Sequence, residues 1–473
     1  MGGRLRHERR PWRLPRGFHL RSRRSAVCPW AYRRPCRWLG TRMACRVDRG
    51  TEVYTGRASA FLYPVRNDSL GAGRRVLAGG PLADRRSMVV HANESLVTLE
   101  DCRSYNQDSV DRAVKAAADG AGLSGLSGAT VLLKPNLVLA SEPDRAATTH
   151  PAIVRAAIRL ARSAGAARIL VGDSPGWQAL APVGAKTGLD SVVQEEGASW
   201  ADFSEQVSVE VPDGSLVRRF NLARAVVEAD AIINLPKLKT HGLMYYTGAV
   251  KNLFGCIPGL SKSAFHLRFP GRQEFAAMLA DLYLAVRPAF NIMDAIVGME
   301  GLGPNNGRPR HIGLVMASGN AFALDWVAAR LIGYDPHDIP YLGLAARDGR
   351  YGLVPEAIRT AGEDPAARMV RPFELVHVLR ENDFFHKHMP GWMHGLVRDL
   401  TVARPFFSDE RCIRCAGCVE ICPAKSLSFS DGKPAPAVDY DTCIRCYCCH
   451  EVCPADAIML RRRGRFRIRL RNS

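Results

Sequence analysis

From residue 129 onward the chain alternates short apolar runs with longer stretches whose apolar residues recur every three or four positions. Ala129-Thr-Val-Leu-Leu-Lys-Pro reads as a buried strand bounded by Pro135. His150-Pro151 opens a helix, with proline at the first helical position, where its missing N–H costs nothing. Ile153, Ala157, Leu160 and Ala164 form one apolar stripe, Arg155, Arg159 and Arg162 lie opposite, and Gly165 stops the helix. Ala167-Arg-Ile-Leu-Val-Gly-Asp173 is the next strand. A helix near Leu189 to Glu196 and the strand Ala229-Asp-Ala-Ile-Ile-Asn-Leu continue the alternation. This order predicts an α/β fold, a mostly parallel sheet with flanking helices. No membrane span is expected, because no run of ~20 apolar residues is uninterrupted.

Polar residues gather where these strands end, and open α/β sheets bind ligands at that edge. The candidates for substrate binding are Lys134, Asn136, Asp173, Lys237, Lys239, His241, Lys251 and Asn252, with Ser174, Asn234, Asp294 and Glu300 nearby. Residues two apart in an extended segment share a face, so Lys237, Lys239 and His241 are expected to point one way, toward a phosphate or carboxylate. Plainer roles stand beside these. Lys237 and Lys239 could be a solvated loop face, His241 a cap for backbone groups, and Asp173 an N-cap. No GxGxxG or GxxxxGK[ST] loop, HExxH or Gly-x-Ser-x-Gly motif occurs to name a nucleotide cofactor or a hydrolase.

The net charge of +19 belongs to the ends of the chain. Residues 1–87 carry 21 Arg, no Lys and five acids, and seven further bases fall in the tail from Arg461 to Arg471. An Arg-rich arm attracts polyanions. The scattered Trp, Pro and Gly and the absent periodicity favour the plainer reading, an extension upstream of a start at Met88. Nucleic acid is therefore not an expected partner.

Of 14 Cys, nine fall between 412 and 453. Cys412-Ile-Arg-Cys415-Ala-Gly-Cys418-Val-Glu-Ile-Cys422-Pro423 returns 31 residues later as Cys443-Ile-Arg-Cys446-Tyr-Cys-Cys449-His-Glu-Val-Cys453-Pro454. Both halves read C-x2-C-x2-C-x3-C-P, in which three thiolates hold one [4Fe–4S] cubane and the fourth reaches the other. One cluster should use Cys412, Cys415, Cys418 and Cys453, and the second Cys443, Cys446, Cys449 and Cys422. Paired C-x2-C motifs also build zinc ribbons, but two complete runs with the following proline favour clusters. Cys448 is a spare thiol or a ligand exchanged with Cys449. With no export signal in view, the expected location is cytoplasmic.

Lys-Pro-Asn at 134–136, Thr-Thr-His-Pro at 148–151, Gly-Asp-Ser-Pro-Gly at 172–176, Leu-Pro-Lys-Leu-Lys-Thr-His at 235–241 and Val-Lys-Asn-Leu-Phe-Gly at 250–255 resemble the domain of unknown function 362 family. The likeness spans roughly 95–340. It implies a ferredoxin-type domain fused at one end and no particular chemistry.

The expected organisation is an Arg-rich extension at 1–87, an α/β domain at 88–340, a helical linker at 341–405, a two-cluster ferredoxin domain at 406–460 and a basic tail at 461–473. Two functions follow. In one, the clusters relay electrons from a redox partner protein to an anionic small molecule at the sheet edge. In the other, the chain is a non-catalytic carrier or partner-binding module. Anaerobic assay is expected to return eight iron and eight sulfide per chain, and stoichiometric zinc without sulfide would sink the cluster assignment.

Overall fold

The computed structural model describes residues 96–376 and 402–461, with three short strands, Arg37–Leu39, Arg42–Ala44 and Val76–Leu77. The α/β and cysteine-rich regions both fall within one compact unit, Ala72–Ser473.

The α/β region is built on a ten-stranded sheet. Its central strand, Ala231–Leu235, is buried at every position and pairs in parallel with Thr130–Pro135 on one side and Phe290–Glu300 on the other. Arg168–Val171 and then Ser199–Trp200 extend the parallel half. Beyond Phe290–Glu300 the order runs through Arg308–Ser318, Leu96–Asp101 and Arg359–Gly362, with two antiparallel pairings before a final parallel one. The sheet is thus mostly parallel, as its sequence predicts.

A strand covered on both faces can be apolar throughout. Ala231, Ile233 and Leu235 pack under the Gln107–Gly120 and Pro151–Ser163 helices, while Ile232 faces Leu279, Phe322 and their neighbours on Arg272–Val286 and Ala321–Leu331. Each large aliphatic side chain so buried contributes about 2 kcal/mol of transfer free energy.

Two expectations need correcting. Lys237 and Lys239 do not lie on a loop: Lys237–His241 forms a further buried strand, parallel to Phe290–Glu300 and antiparallel to Tyr245–Thr247. A solvated loop face at Lys237 and Lys239 is excluded by their burial. Residues 341–376 are not a linker either. The Pro340–Arg347 helix packs in the core, and Arg359–Gly362 is the sheet's edge strand. Residues 377–401 lie outside the described residues, as do residues 88–95, the tail from 462 and nearly all of 1–87.

The short Ala249–Asn252 helix is anchored by Asp325. This carboxylate accepts from the N–H groups of Ala249 (2.6 Å) and Val250 (3.0 Å) and from the hydroxyls of Tyr341 (3.1 Å) and Tyr246 (3.4 Å). Gly248 allows that approach, since a Cβ there would stand 2.1 Å from Asp325 Oδ1. Asp325→Ala strands four buried donors and is expected to cost about 3 kcal/mol or more in urea unfolding. A loss under about 1 kcal/mol would remove Asp325 as the anchor.

Candidate functional site

Strand ends supply the first layer of the site. Lys134, the last but one residue of its strand, puts Nζ 2.8 Å from Asp173 Oδ1, and Asp173 Oδ2 accepts from the Leu137 N–H at 2.7 Å. Gly255 closes over this pair, where a Cβ would lie 1.9 Å from Asp173 Oδ1. Lys237 is matched in the same way, with Nζ 2.8 Å from both Asp294 Oδ2 and the Tyr105 hydroxyl. Burial pulls the Lys237 pKa down and Asp294 opposes it. Both lysines are therefore internal ion-pair members, which breaking would leave as uncompensated buried charge.

Lys239 differs. A shift in register between Lys237 and Lys239 separates the two side chains, and Lys239 Nζ donates to Asn136 Oδ1 (2.6 Å) and the Ala147 carbonyl (2.7 Å), both neutral. Burial, then the charges of Lys251 and Lys237, hold its pKa well below the ordinary lysine value. An ammonium only donates, so Asn136 must receive it through oxygen and pass its own amide N–H to Asn252 Oδ1 at 2.8 Å. Asn252 donates to Asn234 Oδ1 (2.8 Å), Asn234 to Asn291 Oδ1 (2.9 Å), and Asn291 to the Ser318 carbonyl (3.2 Å).

Lys239, Asn136, Asp173, Lys251 and Asn252 line a single cavity of about 110 Å³. Lys251 is half-buried, with no hydrogen-bond or ion-pair partner among the described residues; burial lowers its pKa, and Glu451 is the main opposing charge. Lys262 and His266, one turn apart on the Ser261–Arg268 helix, roof the cavity. Lys262 Nζ is held by the carbonyls of Ser174 and Pro175, and burial pushes its pKa down to about 8. Of the eight candidates, Lys134, Lys237 and His241 stand behind the cavity rather than in it.

The opposite wall comes from the cysteine-rich region: Ile421, Cys448, Glu451 and Val452. His241 approaches the cysteine-rich side. Its Nδ1 accepts from the Leu243 N–H at 3.0 Å, so Nε2 carries the proton and faces Glu451 Oε1 at 3.2 Å. Burial holds the His241 pKa well below the usual range, followed by the charge of Lys251. Asn305 donates to the Cys453 carbonyl (3.1 Å) and Asn306 to that of His450 (3.2 Å). Gly417 lies against Trp177, where a Cβ would come within 2.4 Å of the indole.

The cysteine-rich region is a structural repeat with the same 31-residue offset. The helices Gly417–Glu420 and Cys448–Glu451 correspond, and so do six residues of positive φ: Arg414 and Arg445 (56° and 54°), Ala416 and Tyr447 (63° and 66°), Lys425 and Asp456 (53° and 49°). Such a conformation costs a non-glycine residue about 1–2 kcal/mol, and its recurrence marks loops shaped to turn backbone inward. Ser426 N–H points at Cys422 Sγ (3.4 Å) and Ala457 N–H at Cys453 Sγ (3.3 Å). Cys412, Cys415, Cys418 and Cys453 surround one small cavity, walled by Ile413, Phe407 and Phe429. Burial, followed by the charges of Cys446, Cys443, Cys418 and Cys422, raises the Cys449 pKa. Four thiols around a void, with backbone N–H groups aimed at sulfur, fit a cubane cluster.

Residues 131–330 match the family model described as domain of unknown function (DUF362), and residues 411–457 match that of a 4Fe-4S dicluster domain. The thylakoid-associated protein sll1697 of Synechocystis sp. (strain ATCC 27184 / PCC 6803 / Kazusa) is 33% identical over 294 residues, 61% of this chain and 90% of that protein. The chain belongs to the DUF362 family. Among solved structures, the lactate racemase apoprotein from Thermoanaerobacterium thermosaccharolyticum aligns at 16% identity and a TM-score of 0.29, over 50% of this chain and 55% of that one, a likeness that says nothing about activity. The dicluster match makes 4Fe–4S clusters the cofactor of this DUF362 protein's C-terminal region. No helix among the described residues is long and apolar enough to cross a membrane.

In this DUF362 protein the sequence reading missed Lys262, His266, Glu451 and Asp325. Lys262 and His266 carry a signal, since polar residues four apart share a helix face. The 31-residue offset also decides which of two adjacent thiols faces the cavity: Cys449 takes the place of Cys418, and Cys448 that of Gly417. Cys448→Ser is expected to leave the iron content unchanged, whereas Cys449→Ser loses or converts one cluster by EPR and iron assay. The reverse pattern would make Cys448 the ligand.

Proposed function

We propose that this protein is an iron–sulfur oxidoreductase that exchanges electrons with a small anionic molecule bound between its α/β and ferredoxin-like regions. The observation that carries this reading is the shared wall: Lys239, Lys251, Asn252 and Lys262 face Ile421, Cys448, Glu451 and Val452 across one cavity. Two [4Fe–4S] clusters are assigned, one to Cys412, Cys415, Cys418 and Cys453 and the other to Cys443, Cys446, Cys449 and Cys422. Bound there, the clusters supply and accept single electrons.

The side chains of the protein do the remaining work. Lys251 and Lys262 attract the anion, Asn136 orients it through its second amide N–H, and the apolar Ile421 and Val452 keep water away from it. The Cys412–Cys418 loop is the more open one, with its thiols half-buried and Ile413 64% exposed, whereas Cys443, Cys446, Cys449 and Cys422 are buried. That asymmetry supports a redox partner protein meeting the first loop and the cavity lying on the side of the second. A cytoplasmic setting would keep these thiols reduced for cluster binding.

Anaerobic purification followed by mass spectrometry of released small molecules tests the reading. An anion is expected at near-stoichiometric level, falling at least tenfold in Lys251→Gln at unchanged melting temperature and iron content. A cavity that yields no ligand, or the same ligand in both proteins, would leave a carrier that only passes electrons.

A further inference from the structure

Three ammonium groups face the cavity, and none of them sits on a carboxylate. Lys239 is spent on an amide and a carbonyl, Lys262 on two carbonyls, and Lys251 on nothing among the described residues. The contrast is internal to the protein: Lys134 and Lys237 each have a carboxylate at 2.8 Å. Asp173 is cancelled by Lys134, so the acid left on the cavity wall is Glu451, against His241. With all three protonated, the side chains lining the cavity carry three positive charges against one negative, an excess of two. His266 and Cys448 complete the titratable groups of the wall.

We propose that the ligand of this cavity is a small dianion and that it is taken up together with protons. The proposal rests on the cavity being the substrate site and adds the ligand's charge to that reading.

Like charges confined in a buried space disfavour one another, and desolvation disfavours each of them alone. Burial lowers Lys251, takes Lys262 to about 8, and with the charges of Lys251 and Lys237 carries Lys239 well below its ordinary range. In the empty cavity Lys262, at about 8, is therefore partly uncharged just above neutral pH. A dianion supplies the missing counter-charge and raises those pKa values again, so protons enter with it. The sign follows: the bound form holds more protons, hence affinity falls as pH rises, by up to tenfold per pH unit for each proton taken up. Leu137, Val138 and Phe254 add apolar surface between the charged groups. A compact dianion and one with a hydrocarbon middle share this chemistry, and two probes separate them.

The test is calorimetry on the full-length, cluster-loaded, oxidised protein with sulfate, succinate or acetate, each in two buffers of different ionisation enthalpy. Saturable binding of sulfate or succinate is expected, with acetate at least tenfold weaker and a buffer-dependent heat equal to about one proton or more taken up. Lys251→Gln and, independently, Lys262→Gln should weaken the dianion at least tenfold at unchanged melting temperature. No saturable dianion binding, binding without proton uptake, or full affinity in both variants overturns the proposal. No electron moves in this titration, so its failure is separate from any failure of electron transfer to a substrate.

Discussion

A lysine ammonium can donate hydrogen bonds and never accept one, and that one-way property orders the polar interior. Lys239 forces Asn136 to present oxygen, and the constraint passes through Asn252 and Asn234 to Asn291 before ending on a backbone carbonyl. Four side-chain amides that could each be turned either way are fixed in one sense. The chain crosses the ends of Thr130–Pro135, Ala231–Leu235 and Phe290–Glu300 and takes in the Ala249–Asn252 helix. An unpaired buried amide costs about 1–3 kcal/mol, so the alternatives are expensive at every link. The wall of the cavity is rigid because its polar groups have a single consistent arrangement.

The alternating sheet was legible in the sequence because burial on both faces leaves a plain mark. Ala231-Ile-Ile-Asn-Leu is apolar but for one residue, and Pro151 and Gly165 bracket their helix. The same strand held an unread clue. An asparagine in a run that is otherwise fully buried has to find an amide or carbonyl partner, and Asn291 in Phe290-Asn-Ile-Met repeats the signal. What local pattern could not convey is which lysine has a carboxylate. Lys237 and Lys239 look alike two residues apart, and their difference comes from Asp294, 57 residues away, and from a register shift.

The cysteine repeat was the most legible part, since cluster loops demand short fixed spacings. Its docking was not. The two halves are alike in helices and in left-handed residues, yet they meet different surroundings. Gly417 has no side chain because Trp177 fills the space, while the matching Cys448 opens on the cavity. A duplicated unit has been made directional by what each half packs against, and nothing within the repeat itself announces that.

The wall shared by Lys251 and Glu451 has a consequence for dissection of the molecule. Neither region alone encloses the chamber. Expressed without its cysteine-rich portion, the α/β portion would open Lys239, Lys251 and Lys262 to solvent, where water and salt ions satisfy them and their charges return to ordinary behaviour. The reciprocal fragment would expose Cys448 to oxidants and Val452 to water. The smallest piece of this chain that encloses the chamber is thus the pair of regions together.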